Sequence, residues 1–479
     1  MVTIMAISKK MKTTIDPAAA SPSTAATVIL PEELIWEVLL RLPAKSLARF
    51  RCVCRCWNHL LRSDSDAAFQ RLYSDRQASM AMASAGLVFA AARLAPPHPH
   101  ELHGGLTIMP CPGCPRFVGG KPCHRGLALL SRPCTGYTLC NVSTGGLLRL
   151  PPCPTVGCFI STAGVGYLAA TDEYKVVQLA VALDRPLTES LELDCQVLTV
   201  GAANGGGVRG GWRSVAIDLH GKTSNILIEI ECMDPVFANG CLHWTLDTGM
   251  LLLRDGGGGG GKRPEGILSF NLATESFATV PVPPFLASDL VPYDNDLPHA
   301  SRLRMATTTS GDYRLAEAVM QPIGTALAEL DGCLCMIRDL RRRRDVAAMF
   351  EVWKLKDYES GVWSLDYRIH EDLLAAPSSS QLTKKLMEPW LVIPICYLPS
   401  DDDDSSRTKK KKKKILLATT AHEVHIYDQQ TATLETIATA AHYPDPTNHD
   451  NDLYLVMYQE SLLHIDGMEY SMVVHNRDH

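Results

Sequence analysis

The chain has 479 residues, 46% of them hydrophobic, and a formal net charge of -6 at pH 7. Such a length holds roughly two to four domains, and the apolar fraction excludes wholesale disorder. A mildly acidic chain gives no electrostatic reason to expect nucleic acid as a partner.

In chain order, the opening MVTIMAISKKMKTT lacks the apolar core of a secretory signal, because Ser8, Lys9 and Lys10 interrupt it. The longest uncharged apolar stretch, Ala78 to Ala92, is shorter than the ~18–20 residues that cross a bilayer. The expectation is an intracellular protein of the cytoplasm or nucleus, without a membrane partner. Its 16 cysteines then stay reduced. Cys232, Cys241, Cys333 and Cys335, in strand-like context, act as small hydrophobes.

Residues 1–27 read as a disordered leader, rich in Ala, Ser, Thr and Pro in its second half. Residues 28–75 read as short helices. Leu34, Ile35, Val38, Leu39 and Leu42 recur on one helical face. Pro31 suits a first turn, Glu32 and Glu33 favour the positive helix end, and Pro43 stops the run. KSLARFRCVC, RCWNHLLRS and SDAAFQRLYS follow as further helices. Residues 76–104 read as a linker.

Over residues 105–475 short β-rich runs alternate with Gly, Pro, Asn and Asp turns, which predicts a large all-β domain. Degenerate echoes favour an irregular β-propeller, with a β-sandwich as the alternative. YTLCNVSTGGLLRLP from Tyr137, ILSFNLATESFATVP from Ile267 and VHIYDQQTATLETI from Val424 share one scheme. Each is an apolar strand, an Asn or Asp that starts a turn through its own backbone, and a second strand. A second echo leads from a strand through a Gly-containing loop to Trp212 or Trp363. Recurrent Gly–aromatic hairpins are a blade signature. Trp244, Trp353, Trp363 and Trp390 are expected in blade cores. Low-complexity loops are predicted at 254–264, 338–345 and 400–414.

Several stretches imitate chemical sites. GGGGGGK, ending at Lys262, has P-loop spacing, but Arg263 and Pro264 stand where Ser or Thr and a helix are needed. Cys111, Cys114, Cys123 and His124 suggest a zinc knuckle, yet the second pair lacks ligand spacing. HEVH, His422 to His425, is one residue short of a zinc-protease motif and lies in a strand-like run. The arginine and lysine runs read as solvated loops, with nuclear import as the alternative. No catalytic residue, metal site or cofactor is predicted.

The helical stretch resembles the plant F-box. The match runs through Leu30-Pro31, Glu32-Glu33-Leu34-Ile35, Leu39-Leu40-Arg41-Leu42-Pro43, Lys45-Ser46-Leu47, Arg49-Phe50-Arg51-Cys52-Val53-Cys54 and Trp57. The β region resembles plant F-box-associated, kelch-like domains at Tyr174–Val177, Trp212-Arg213, Asn239–Trp244, Ile267–Pro284 and Glu351–Tyr358. The resemblance implies a non-catalytic substrate receptor of an SCF-type (Skp–cullin–F-box) ubiquitin ligase. The helices would dock on a Skp-family adaptor, and through it a cullin, while the β domain binds an unknown protein target. The alternative is a scaffold that binds the adaptor and delivers no substrate. The residues assigned to adaptor docking are Leu30, Pro31, Leu34, Ile35, Val38, Leu39, Leu42, Pro43, Leu47, Val53, Cys54 and Trp57, more apolar surface than so small a bundle buries.

Overall fold

The computed structural model describes residues 32–61, 69–70, 72–73, 76, 86–91, 116–118, 126–132, 136–154, 159–182, 193–201, 206–217, 235–245, 267–284, 302–307, 313–319, 325–341, 348–370, 385–387, 392–398, 413–419, 423–431, 433–439, 453–458 and 460–470. Three helices open it: α1 (Glu32–Leu39), α2 (Ala44–Phe50) and α3 (Arg55–Leu60). Helices of six to eight residues are too short to be stable alone, so packing must hold them. Leu39, Leu40, Ala44, Leu47 and Leu61 meet Phe69 and Tyr73 in one buried cluster. Trp36 meets the Phe69 ring edge-on at 5.5 Å between centroids. Pro43 precedes α2 in extended backbone, which separates it from α1 as its lack of an N–H requires.

After the helices the described residues form an all-β propeller of five blades. Blade one contains Arg116–Val118, Leu127–Arg132, Gly136–Asn141 and Gly146–Arg149, with Glu469–Tyr470 as an outer fifth strand. Blade two contains Phe159–Leu168, Glu173–Ala182, Leu193–Gly201 and Val208–Ser214. In blade three the strands are Val236–Ala238, Cys241–Thr245, Ile267–Asn271 and Ser276–Val280. Thr325–Leu330, Cys333–Asp339, Ala348–Asp357 and Val362–His370 make blade four. Val392–Leu398, Lys414–Thr419, Glu423–Asp428 and Thr433–Thr439 make blade five. Every pairing within a blade is antiparallel between sequence neighbours, apart from the added strand of blade one. The propeller, not the sandwich alternative, is the architecture.

Three expectations change. Within residues 76–104, read as a linker, Gly86–Ala91 is a strand paired antiparallel with Leu453–Tyr458. The 338–345 loop is not wholly solvated: Arg338 ends in a strand facing Glu351, and Arg341 grips Asp339 and the Leu386 carbonyl. At the end of the 400–414 loop, Lys413 sits over the Tyr397 ring and pairs with Asp331, and Lys414 begins a strand. The glycine run at 256–261 and Trp390 lie outside the described residues.

The hairpin echoes fold for one physical reason. Asn141 Oδ1 accepts from the amides of Ser143 and Thr144, and Asn271 Oδ1 from those of Ala273 and Thr274. Asp428 Oδ1 accepts from Gln430 and Thr431 in the same way, and Asp357 Oδ1 from Glu359 and Ser360. Each is an Asx turn between the third and fourth strands of a blade. The tryptophan echo has a matching cause. Trp212 Nε1 donates to the Pro151 carbonyl at 2.9 Å, and Trp363 Nε1 to the Pro281 carbonyl at 2.8 Å. In both, the outer strand of one blade fastens to the chain leaving the blade before it.

Gly361 belongs to the second fastening. Its φ is +66°, and a Cβ there would lie 2.6 Å from Pro281 Cγ. Gly361→Ala therefore strains the turn and pushes the two blades apart. Its expected cost is about 2 kcal/mol, measured as a drop in the denaturant midpoint; an unchanged midpoint contradicts the close contact.

Candidate functional site

The segments that suggested a β-domain family converge at blade joints. Lys175 is 7% exposed, and its Nζ donates to the Leu272 carbonyl at 2.6 Å and to Glu275 Oε1 at 2.7 Å. Arg213 adds a two-pronged contact to Glu275, both bonds 2.7 Å long. Glu275 sits in a hairpin turn with φ of +53°, which swings its side chain from blade three to the cations of blade two. Arg213, with Lys175 behind it, holds the Glu275 carboxyl down at about 2. Within blade four, Glu351 is 2% exposed in a cross-strand row between Arg338 and Arg368, and also accepts from Trp353 Nε1.

The next joint is neutral. His243 of blade three is fully buried; its Nδ1 lies 3.1 Å from the Val236 carbonyl and its Nε2 2.6 Å from the Tyr358 hydroxyl of blade four. The carbonyl can only accept, so Nδ1 carries the proton and Nε2 accepts from Tyr358. Burial lowers His243 to about 4, and burial lowers His425, in blade five, to about 4 as well. An unfolded imidazole titrates near 6.5, so between those values the unfolded chain binds more protons. Stability is full above pH 6.5 and falls as the pH drops toward 4. For His243 the loss is on the order of 3 kcal/mol. Urea midpoints across pH 7 to 4.5 check this, and His243→Gln should flatten the dependence; an equally steep dependence in the variant assigns it elsewhere.

Tyr367 and Tyr397 tie blades four and five through Lys413 O and Asp366 Oδ2. At these joints the polar groups pair across neighbouring blades, Lys175 and Arg213 with Glu275 and His243 with Tyr358. Burial pushes the thiols of Cys140, Cys195 and Cys335 up to about 12, so they remain protonated hydrophobes. Cys241 and Cys335 are buried and Cys333 is partly so, while Cys232 lies outside the described residues. Among the described residues no cluster of His, Cys, Asp or Glu could hold a metal. Cys111, Cys114, Cys123 and His124 fall outside them.

Among the described residues the large exposed apolar side chains divide between the helical unit, with Leu34, Val38, Val53 and Leu72, and the β domain, with Val362, Leu365, Met387 and Ile437. Leu34 and Val38, one turn apart on α1, are each 50% exposed, and Val53 between α2 and α3 is 40% exposed. Pro43 is exposed beside them in sequence. The other residues assigned to docking divide differently. Leu39 and Leu47 are 2% and 0% exposed. They build the helical core, so they cannot offer contact surface; spacing cannot tell the inner from the outer apolar stripe of a short helix. Ile35, Leu42 and Trp57 are half-buried against that core. Cys54 serves as the cap of α3, its Sγ accepting from the Trp57 amide at 3.4 Å. Leu30 and Pro31 lie outside the described residues.

Within the described helical unit one exposed apolar residue was not expected from the sequence: Leu72, 47% exposed. Phe69 and Tyr73 face the core while Leu72 turns outward; its i, i+3 spacing from Phe69 places it beside that face, so the sequence carried no signal of its exposure.

The family model described as "F-box domain" matches residues 29–66. These residues are an F-box. Its three described helices are α1, α2 and α3, so the exposed Leu34, Val38 and Val53 are F-box surface. The curated relatives are plant proteins. The F-box protein At3g10430 of Arabidopsis thaliana is 24% identical over 266 residues, 52% of this chain and 60% of the relative. The F-box protein At3g49450 of the same plant is 30% identical over 193 residues, 36% of this chain and 45% of that one. The F-box/kelch-repeat protein At3g23880 of Arabidopsis thaliana is 59% identical over 32 residues, 7% of this chain and 9% of its own length. The chain thus spans less than two thirds of the relatives' lengths. Among solved structures, a xylan β-1,4-xylosidase from Bacillus halodurans covers 68% of this chain and 53% of its own, with 11% identity and a TM-score of 0.24, too slight a likeness to carry an argument. No helix among the described residues is long and apolar enough to cross a membrane.

Proposed function

We propose that this protein is the substrate-recognition subunit of an SCF-type ubiquitin ligase. F-box domains generally bind Skp-type adaptors, and F-box proteins generally act as non-catalytic receptors. The observation that carries the reading is the pair Leu34 and Val38, left half exposed on an F-box whose opposite face is already buried. An apolar helix face of this kind suits insertion against partner helices. Residues 28–75 would form the adaptor module, and the β domain within 105–475 would hold the target. The receptor performs no bond chemistry; it raises the local concentration of a target lysine near a charged enzyme. The protein would work inside the cell, in cytoplasm or nucleus, where adaptor and cullin are found.

The test is assembly. The full chain, co-expressed with a Skp-family adaptor and a cullin, should elute as one ternary complex. A well-folded chain that elutes apart from every such adaptor rejects the proposal. If the complex forms but no bound protein is ubiquitinated by it, the scaffold alternative replaces the receptor.

A further inference from the structure

Residues 460–463 lie between the F-box and blade one, and their side chains and backbone alternate between the two. Glu460 Oε2 accepts from the Ala44 amide, the first of α2, and from the Tyr73 hydroxyl, both at 2.9 Å. Leu462 is 5% exposed within the F-box cluster of Leu39, Leu47 and Phe69. The odd positions belong to the propeller. Asn141 Nδ2 donates to the carbonyls of Ser461 and Leu463 at 3.2 and 2.8 Å, and the Ser461 amide donates to Ser143 Oγ at 2.9 Å. Leu463 and Ile465 enter the blade-one core, and Glu469 pairs with Leu147 at its outer edge. Successive residues of this irregular segment make their contacts on opposite sides, so a few residues can fasten two bodies at once.

We infer that residues 460–463 are a two-sided clasp that fixes the F-box on blade one, so that the F-box surface and the propeller move as one body. The clasp, close to 400 residues beyond the F-box in sequence, sets the direction in which the propeller points from the helices. This inference rests on the contacts above and holds whether or not the ligase proposal does.

Asn141→Asp isolates the clasp. The carboxylate keeps the acceptor that makes the hairpin turn, as Asp428 and Asp357 do in their own blades. It loses the donor to Ser461 and Leu463 and sets negative charge against their carbonyls. Two measurements on the full chain read the outcome. In hydrogen exchange, amides of 460–465 should exchange about tenfold faster in the variant, while those of blades three and four stay as in the wild type. In dipolar spectroscopy, spin-labelled noncanonical residues replacing the exposed Arg49 and Glu435 should give one narrow distance in the wild type and a broadened one in Asn141→Asp. Equal widths in the two proteins, or a broad wild-type distribution, overturn the clasp. Leu462→Ala serves as the second variant: it should loosen α2 and α3 in exchange without altering blades three and four, and unchanged F-box protection likewise overturns it.

Discussion

Replacing Leu34 and Val38 together with Asp should abolish the co-purification with a Skp-family adaptor expected of the full chain, while the melting temperature should stay within a degree or two of wild type. Both side chains are half exposed in the free protein, so charge there remains hydrated and costs the fold little. At a formed interface the same carboxylates lose water without partners, and two buried apolar anchors are lost. Each is already half covered, so docking buries about half of a side chain worth about 1.5–3 kcal/mol; with desolvation of the unpaired carboxylates added, affinity should fall by about a hundredfold or more. Leu39→Asp is the necessary contrast. Leu39 is 2% exposed in the helical core, so that change unfolds the F-box, and its loss of binding says nothing about contact. Undiminished adaptor binding by the Leu34/Val38 variant would remove this face from the interface.

The second large effect lies at the joint of blades two and three. Glu275→Gln should destabilise the chain by about 2–3 kcal/mol at pH 7, because it leaves the buried Lys175 ammonium without its counter-charge. Lys175→Met removes the same ion pair yet should cost only about 1 kcal/mol. An apolar stem replaces a buried charge, and Glu275 keeps Arg213. The double variant should be no worse than Glu275→Gln. Guanidinium unfolding of the three proteins decides it, and equal losses in both single variants would show that the pair acts through geometry rather than charge. The pH behaviour follows in sign. The Glu275 carboxyl is held at about 2, below its ordinary 4.5. Its contribution is therefore complete above pH 4.5 and lost as the pH falls toward 2. This window lies below that of His243, so the two joints should fail in separate ranges, the neutral histidine joint first.

Much of this arrangement was legible in the residues. Helical period and Pro43 marked the short helices, and strand-length apolar runs with Asn or Asp at the turn marked the hairpins. Both are local: a Cβ direction or an Asx turn is decided within four residues of chain. The tryptophan echo was visible too, although its meaning was not, since the Pro151 and Pro281 carbonyls that receive Trp212 and Trp363 lie 61 and 82 residues away in sequence.

Sequence alone determined the class of each part: a small helical module with more apolar surface than it can bury, followed by β hairpins too numerous for one sheet. Only tertiary structure decided how the apolar residues were divided. Leu39 and Leu47 went inward because Leu462 and Tyr73 close over them, and Leu34 and Val38 stayed outside because nothing in the described chain reaches them. Periodicity reports that a face is apolar; what covers it depends on residues hundreds of positions away. The same holds for Lys175, Arg213 and Glu275, which read separately as ordinary strand and turn residues. They become one joint only when neighbouring blades bring them within hydrogen-bonding distance.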